Sequence, residues 1–116
     1  MSQAVNSYRD LLVWQETMTL TEQIYRFAST LPQNERYELS SQLRRAAASI
    51  PSTIAEGYVR ESRGAYVQFL KIARGSRREA ETQLLLCARL QQSPQQSTDM
   101  TLAHCDKVGR LLHGLM

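Results

Sequence analysis

Helix-breaking residues are scarce in this chain, and their positions divide it into four long pieces. The 116 residues include five Gly and three Pro, and no Gly precedes Gly57. The breaks fall at Pro32, at the segment 57–64 and at Pro94. Between them the pieces show no strand-and-turn rhythm, and their apolar residues recur at spacings of three and four, which places side chains on one face of an α-helix. The sequence therefore predicts an all-α protein.

The apolar spacing predicts four helices joined by short connections. They cover about residues 8–31, 35–58, 63–92 and 97–115 of a single domain over residues 1–116. Pro51 lies inside the apolar stripe of the second piece, so we expect one kinked helix there and not two helices. Ser62 is a good N-cap for the third helix. Amphipathic helices in this order form an antiparallel up-down-up-down four-helix bundle.

The composition excludes several broad classes of protein. At 42% apolar and 22% charged residues the chain matches neither a disordered tail nor a membrane protein. No apolar run approaches the roughly 20 residues of a transmembrane helix. The first residues lack a basic start followed by an apolar stretch, so no secretory signal is visible. We therefore expect a cytoplasmic protein with no membrane partner.

The sequence contains no recognisable metal or catalytic motif. It has no CxxC, no HExxH and no paired carboxylates with a suitably spaced His. Cys87 and Cys105 occupy core positions of the third and fourth helices, so two free, buried thiols are a better interpretation than a zinc or redox site. We expect no cofactor, no bound metal and no enzymatic activity.

Positive charge is concentrated in the middle of the chain. The formal net charge is +3, whereas residues 36–78 hold nine basic and three acidic side chains, a net charge of +6. Twelve of the fourteen basic residues are Arg, which favours phosphate-type contacts. The candidate nucleic-acid-binding residues are Arg60, Arg63, Lys71, Arg74, Arg77 and Arg78. The alternative is a solvated helix face whose charges pair with neighbours such as Glu79 and Glu81.

Other residues in this region are expected to have structural roles. If the second and third helices are antiparallel, Arg44 and Arg45 come level with Arg78 and Glu79, so a salt bridge from Arg44 or Arg45 to Glu79 is predicted. Glu56 can pair with Arg60 one helical turn later. A set of small residues on the third helix would let a helix of the same bundle, or of a neighbouring subunit, approach closely. This set consists of Ala73, Gly75, Ser76 and Ala80.

Three segments resemble a known family. Residues 8–15 read YRDLLVWQ and are similar to its opening segment, and residues 42–57 read QLRRAAASIPSTIAEG and resemble its central signature. The third segment is FLKIARGS at residues 69–76, followed by Glu79 and by ETQL at residues 81–84. The family is the bacterial 23S rRNA-intervening-sequence proteins, which are related to the accessory variability determinant of diversity-generating retroelements. Thr53 stands where Asn is usual, and Ala80 where Leu is usual.

The resemblance implies a cytoplasmic four-helix bundle that assembles into a homopentameric ring, without enzymatic activity. Relatives of this family associate with reverse transcriptases and bind nucleic acid through a basic surface, so the resemblance implies a similar role for the basic residues of this chain. We therefore expect a non-catalytic homo-oligomer, a pentamer, that binds RNA or DNA in the form of structured RNA or an RNA–DNA hybrid. A reverse-transcriptase-type protein is a further candidate partner. The alternative is a structural or adaptor oligomer that binds a protein partner and uses its arginines in salt bridges.

Overall fold

Four long helices account for most of residues 6–116, the part of the chain that the computed structural model describes; for residues 33–37 it describes the backbone alone. A short 3₁₀ helix, Tyr8–Asp10, comes first. The α-helices are α1 (Leu12–Ser29), α2 (Gln33–Tyr58), α3 (Arg63–Arg89) and α4 (Gln95–Leu115). No strand occurs between residues 6 and 116, and the predicted all-α fold is confirmed.

The helices pack as a closed antiparallel bundle. α2 packs along both α1 and α3, and α4 closes the bundle by packing against α3 and α1. Two hydrogen bonds between α2 and α3 define their alignment. The Ser49 and Ser76 hydroxyls are 2.8 Å apart, and the Gln83 side-chain amide donates to the Gln42 side-chain oxygen at 2.9 Å. Residue 49 therefore comes level with residue 76, and residue 42 with residue 83.

All four helices contribute to one hydrophobic core. Their buried apolar residues recur at three- and four-residue spacings, so each helix turns one apolar stripe inward. The large apolar side chains that are fully buried are Leu20, Ile24, Leu43, Ile50, Ile54, Leu70, Leu84, Val108 and Leu112. Burial of this apolar surface supplies the main driving force for folding.

Three helices, α1, α2 and α4, begin at other residues than the sequence predicts. α2 and α4 begin directly after Pro32 and Pro94, whose backbones are extended with ψ of 144° and 138°, two residues before the expected starts. The extended backbone of Leu11 separates the 3₁₀ helix from α1, so α1 begins later than expected. Ser62 caps α3 as predicted, because its hydroxyl accepts a hydrogen bond from the backbone N–H of Ala65.

Pro51 is accommodated inside α2 by a side chain of α1. α2 runs through Pro51 as one helix. Proline has no backbone N–H, so the carbonyl of Ala47, four residues earlier, lacks its helical donor. The single hydrogen of the Thr21 hydroxyl is shared between this carbonyl oxygen, at 3.1 Å, and the Thr17 carbonyl oxygen of its own helix, at 2.8 Å. A polar group that would be buried without a partner is thereby satisfied.

Gly57 permits a close approach between α2 and α3. A Cβ atom at this position would lie 2.4 Å from the Cβ of Phe69, a separation that side chains do not tolerate. The glycine that matches the end of the family signature is therefore required by packing of the helix hairpin, and not by a left-handed backbone.

Candidate nucleic-acid interface

Three exposed cations lie on one side of α3 and form what we call the basic face: Lys71, Arg74 and Arg78. Their spacing of three and four residues places them next to one another on the helix surface. With a rise of about 1.5 Å per residue, the face extends along about 10 Å of the helix. These three are the predicted nucleic-acid-binding residues that α3 brings together on an open surface.

The charges of the basic face have no acidic partner in the described part of the chain. Among the side chains that the structure describes, no carboxylate lies within 4.0 Å of Lys71, Arg74 or Arg78. Like charges one helical turn apart repel, which destabilises the helix by a few tenths of a kcal/mol per pair. The basic face is therefore a patch of positive charge without an ion-pair partner among these side chains, able to attract an anionic ligand.

Arg60 and Arg63 lie before the basic face and already have partners within the chain. The Arg60 guanidinium is 3.6 Å from the Glu56 carboxylate, as predicted, and 4.8 Å from the centre of the Phe69 ring. The Arg63 guanidinium donates to the carbonyl oxygen of Leu115 at 2.9 Å and so holds the C-terminal end of α4. Both side chains are exposed, but structural contacts account for both.

Arg77 does not lie on the exposed surface with the other predicted nucleic-acid-binding residues, so the predicted position of its side chain is wrong. Its side chain is 9% exposed and extends into the contact between α3 and α4. Its Nη1 atom is 3.4 Å from a Glu81 carboxylate oxygen and 3.4 Å from the carbonyl oxygen of Cys105. The sequence carried the signal, because Arg77 continues the three- and four-residue spacing of the buried Leu70, Ala73, Ala80 and Leu84.

The predicted salt bridge from Arg44 or Arg45 to Glu79 is absent from the described residues. The alignment of α2 with α3 brings residue 45 level with residue 80, two residues beyond the expected alignment. The Arg44 guanidinium lies 5.4 Å from the centre of the Tyr25 ring, and the Arg45 guanidinium donates to the Ser41 hydroxyl at 3.0 Å. Arg44 thus packs against α1, and Arg45 contacts its own helix.

The small residues of α3 divide between two surfaces. Ala73 and Ala80 are fully buried, and Ser76 forms its hydrogen bond with Ser49 of α2, so these three lie at a helix contact inside the subunit. Gly75 is exposed, and a Cβ atom there would meet nothing within 4 Å. The four small residues therefore do not form one continuous contact surface, because Gly75 faces away from α2.

Sequence analysis missed an apolar patch at the C-terminal end of α3. Leu86 and Leu90, which we call the leucine patch, are 40% and 48% exposed. They border a groove of about 270 Å³ between α2 and α3, whose other lining residues are Glu38, Leu39, Gln42 and Gln83. The run of three leucines at residues 84–86 was the available signal, because successive helical residues point about 100° apart and cannot all reach one core.

Both cysteines are buried free thiols, as predicted. Burial raises the pKa of Cys87, and it raises the pKa of Cys105 to about 11. Both thiols are therefore protonated near neutral pH and are poor nucleophiles or metal ligands. Within the described side chains, no group of three His, Cys, Asp or Glu residues is arranged to hold a metal ion.

A polar cluster links α1 to α4. The Glu16 carboxylate accepts a hydrogen bond from Lys107 at 2.8 Å, and His104 lies 3.5 Å from its second oxygen. The hydrogen bond from Lys107 is the main reason that the pKa of Glu16 is lowered. The cluster fixes two helices to each other and lies away from the basic face.

None of the helices in the described range is long and apolar enough to span a bilayer.

Comparisons with known proteins agree with this architecture. The sequence profile of the family described as 23S rRNA-intervening sequence protein matches residues 9–114. A crystal structure of a protein of unknown function from the S23 ribosomal protein family of Bacteroides thetaiotaomicron has the same fold, with a TM-score of 0.81. It is 21% identical in sequence, and the alignment covers 90% of this chain and 97% of that one. A search of curated proteins gives no match.

Neither of the two descriptions names a catalysed reaction. The family profile begins within the 3₁₀ helix and ends in the last turn of α4, and it thus includes the basic face, Arg77 and the leucine patch. The chain therefore belongs to the 23S rRNA-intervening sequence protein family.

Proposed function

We propose that this protein is a non-catalytic, homo-oligomeric nucleic-acid-binding protein whose basic face contacts phosphates. The observation that carries the proposal is the positive charge of Lys71, Arg74 and Arg78, which has no ion-pair partner among the described side chains. Three cations that repel one another along a helix are stabilised when a polyanion binds, and binding releases the counterions of the polyanion. Phosphate contacts provide affinity without sequence preference.

The ligand that we propose is structured RNA or an RNA–DNA hybrid in the cytoplasm. Its support is the resemblance to relatives of reverse-transcriptase systems, together with the exposed surface of α3. The two aromatic residues of α3 already have partners within the chain, since Tyr66 packs edge-on to Tyr58 with ring centres 6.2 Å apart and Phe69 lies beneath Arg60. A ligand bound through its backbone fits this surface better than a single strand bound through its bases.

The leucine patch is the surface that we propose for contact between copies of the chain. Ala73 and Ala80 are used within the subunit and do not support a subunit contact. Leu86 and Leu90 are exposed beside a groove that is also lined by Gln42, Gln83 and Glu38, whose carboxylate accepts a hydrogen bond from Gln42 at 3.4 Å. Contact with another copy through the two leucines would remove this apolar surface from water. A homopentamer is the assembly that the family resemblance implies.

The test of nucleic-acid binding is an anisotropy titration of labelled RNA–DNA hybrids of two unrelated sequences, at several salt concentrations. The variant Arg74→Gln/Arg78→Gln should bind both hybrids more weakly by the same factor and with a flatter salt dependence. On duplex DNA, each lost phosphate contact should lower the log–log slope by about 0.9 per engaged subunit.

The matched control for this titration is Arg26→Gln/Arg110→Gln. It removes the same formal charge from arginines that are exposed on α1 and α4 and paired with Glu22 and Asp106. Equal weakening by both double variants would show a general charge effect and contradict the assignment. If the wild-type protein does not bind either hybrid at low salt, the adaptor function replaces this proposal.

A further inference from the structure

Arg77 is a positive charge held inside the bundle next to the basic face. It follows Arg74 by three residues and directly precedes Arg78, but its side chain extends between α3 and α4. Gly109 of α4 provides the space, because a Cβ atom there would lie 2.9 Å from the Arg77 Nε and 3.0 Å from its Cζ. α4 thus contains a slot for this guanidinium, and the position is a specific feature of the fold.

The contacts that hold the guanidinium are long and incomplete. Both partners of Nη1, the Glu81 carboxylate and the Cys105 carbonyl oxygen, are 3.4 Å away. Charge-assisted hydrogen bonds between arginine and carboxylate are typically about 2.7–2.9 Å long and often bidentate. The Nε atom is buried against Gly109 and has no hydrogen-bond partner among the described residues. The guanidinium is therefore incompletely satisfied by the bundle, and its pairing with Glu81 is weak.

Glu81 lies at the rim of this contact. Its side chain is 32% exposed, whereas that of Arg77 is 9% exposed. The carboxylate is therefore the more exposed partner of this ion pair, and it follows Arg78 of the basic face by three residues on α3. Carboxylate and phosphate oxygens present similar acceptors to a guanidinium, so a phosphate can replace the carboxylate as its partner.

We infer that Glu81 is an intramolecular competitor for phosphate, and that Arg77 is a fourth phosphate-binding residue of the basic face. The inference rests on the proposed nucleic-acid binding and adds to it an internal restraint. In the free protein Glu81 neutralises Arg77, and in the complex a backbone phosphate takes that place. Affinity for nucleic acid is thereby held below what four free cations would give.

The test compares two isosteric substitutions on α3, Glu81→Gln and Glu79→Gln, with a labelled RNA–DNA hybrid as the probe. Each removes one negative charge, and Glu79 is an exposed residue that forms no contact with Arg77. Both variants should bind somewhat more tightly because repulsion of the ligand is reduced. Glu81→Gln should gain about a further fivefold, which is the size expected from releasing a partly exposed ion pair.

The same comparison in an Arg77→Gln background identifies the residue responsible. There the additional gain from Glu81→Gln should disappear, and the gain from Glu79→Gln should remain. Equal gains from the two substitutions in the wild-type background would overturn the inference, and this comparison requires no Arg77 variant. Persistence of the additional gain without Arg77 would overturn it as well.

Failure of the inference differs from failure of the proposed function. If the wild-type protein binds the hybrid and Arg74→Gln/Arg78→Gln weakens binding, while the two glutamate variants behave alike, the inference alone is wrong. If neither the wild type nor any glutamate variant binds at low salt, the proposed function is wrong. Circular dichroism and the unfolding midpoint of each variant separate these outcomes from loss of the fold.

Discussion

At the residue scale, Pro51 illustrates how a local defect becomes a tertiary contact. Proline inside a helix removes one hydrogen bond and leaves a carbonyl without a donor. Here that carbonyl belongs to the fully buried Ala47, and Thr21 of α1 supplies the missing donor. The signature segment containing Pro51 therefore depends on a threonine thirty positions earlier in the chain.

The substitution Thr21→Val tests this dependence. It preserves the shape of the side chain and leaves the Ala47 carbonyl unsatisfied, so the free energy of unfolding should fall by about 1–2 kcal/mol. Urea denaturation followed by circular dichroism measures the change. The control is Thr19→Val. The exposed Thr19 hydroxyl donates to the Gln15 carbonyl oxygen of the same helix at 3.2 Å, so its removal should change the free energy of unfolding by less than about 0.5 kcal/mol. Equal effects of the two substitutions would contradict the role of Thr21.

At the element scale, the spacing of apolar residues predicts the four helices, whereas their mutual alignment depends on contacts distant in sequence. Ser62 could be identified as a cap because capping is local. The shift of two residues between α2 and α3 follows from the Gln42–Gln83 and Ser49–Ser76 contacts, and it removed the expected partner of Arg44 and Arg45. The burial of Arg77, by contrast, follows from a local pattern, because Arg77 continues the three- and four-residue spacing of the buried stripe.

The link between α1 and α4 gives a pH-dependent contribution to stability. The hydrogen bond from Lys107 lowers the pKa of Glu16 below its ordinary value of 4.5, so the folded state favours the ionised carboxylate. This contribution is present above pH 4.5 and is lost as the pH falls through the lowered pKa. Wild type should therefore be more stable than Glu16→Gln at pH 7, and the difference should shrink at about pH 3.

Urea unfolding at both pH values measures this difference. The control is Glu22→Gln, because Glu22 pairs with Arg26 at 3.8 Å on an exposed surface and should show little difference at either pH. If the difference in free energy of unfolding between wild type and Glu16→Gln is unchanged at low pH, ionised Glu16 is not its source.

At the scale of the whole molecule, α3 carries two different surfaces on its outer side. The basic face occupies the middle of the helix, and the leucine patch lies near its end. The first could be predicted from charge clustering, since exposed cations on one helix face are visible in a helical projection. The outward direction of Leu85 and Leu86 is visible in the same projection, because Leu84 continues the buried stripe. The groove beside Leu86 could not be located, because it depends on the alignment of α2 with α3.

Light scattering tests the proposed assembly. The wild-type protein should have a molar mass several times that of the 13.2 kDa chain, and a pentamer would give five times that mass. Leu86→Lys/Leu90→Lys should lower the mass, because a buried apolar contact cannot accommodate unpaired charges. Leu12→Lys is the control, since Leu12 is exposed on α1, far from the patch. A wild-type mass near 13.2 kDa at all micromolar concentrations would contradict assembly.

The bond between Thr21 and the Ala47 carbonyl also restricts where α1 can lie along α2. Apolar ridges repeat with every helical turn, so hydrophobic packing alone tolerates a slide of α1 by one turn, about 5.4 Å. A carbonyl left without a donor occurs once in this stretch, at the position that Pro51 sets, and it does not repeat. A slide of α1 that brings Tyr25 to the position of Thr21 would bury that carbonyl unsatisfied, whereas the opposite slide would bring the hydroxyl of Thr17 there. Pro51 thus disfavours a slide of α1 in one direction, although such a slide would bury nearly the same apolar area.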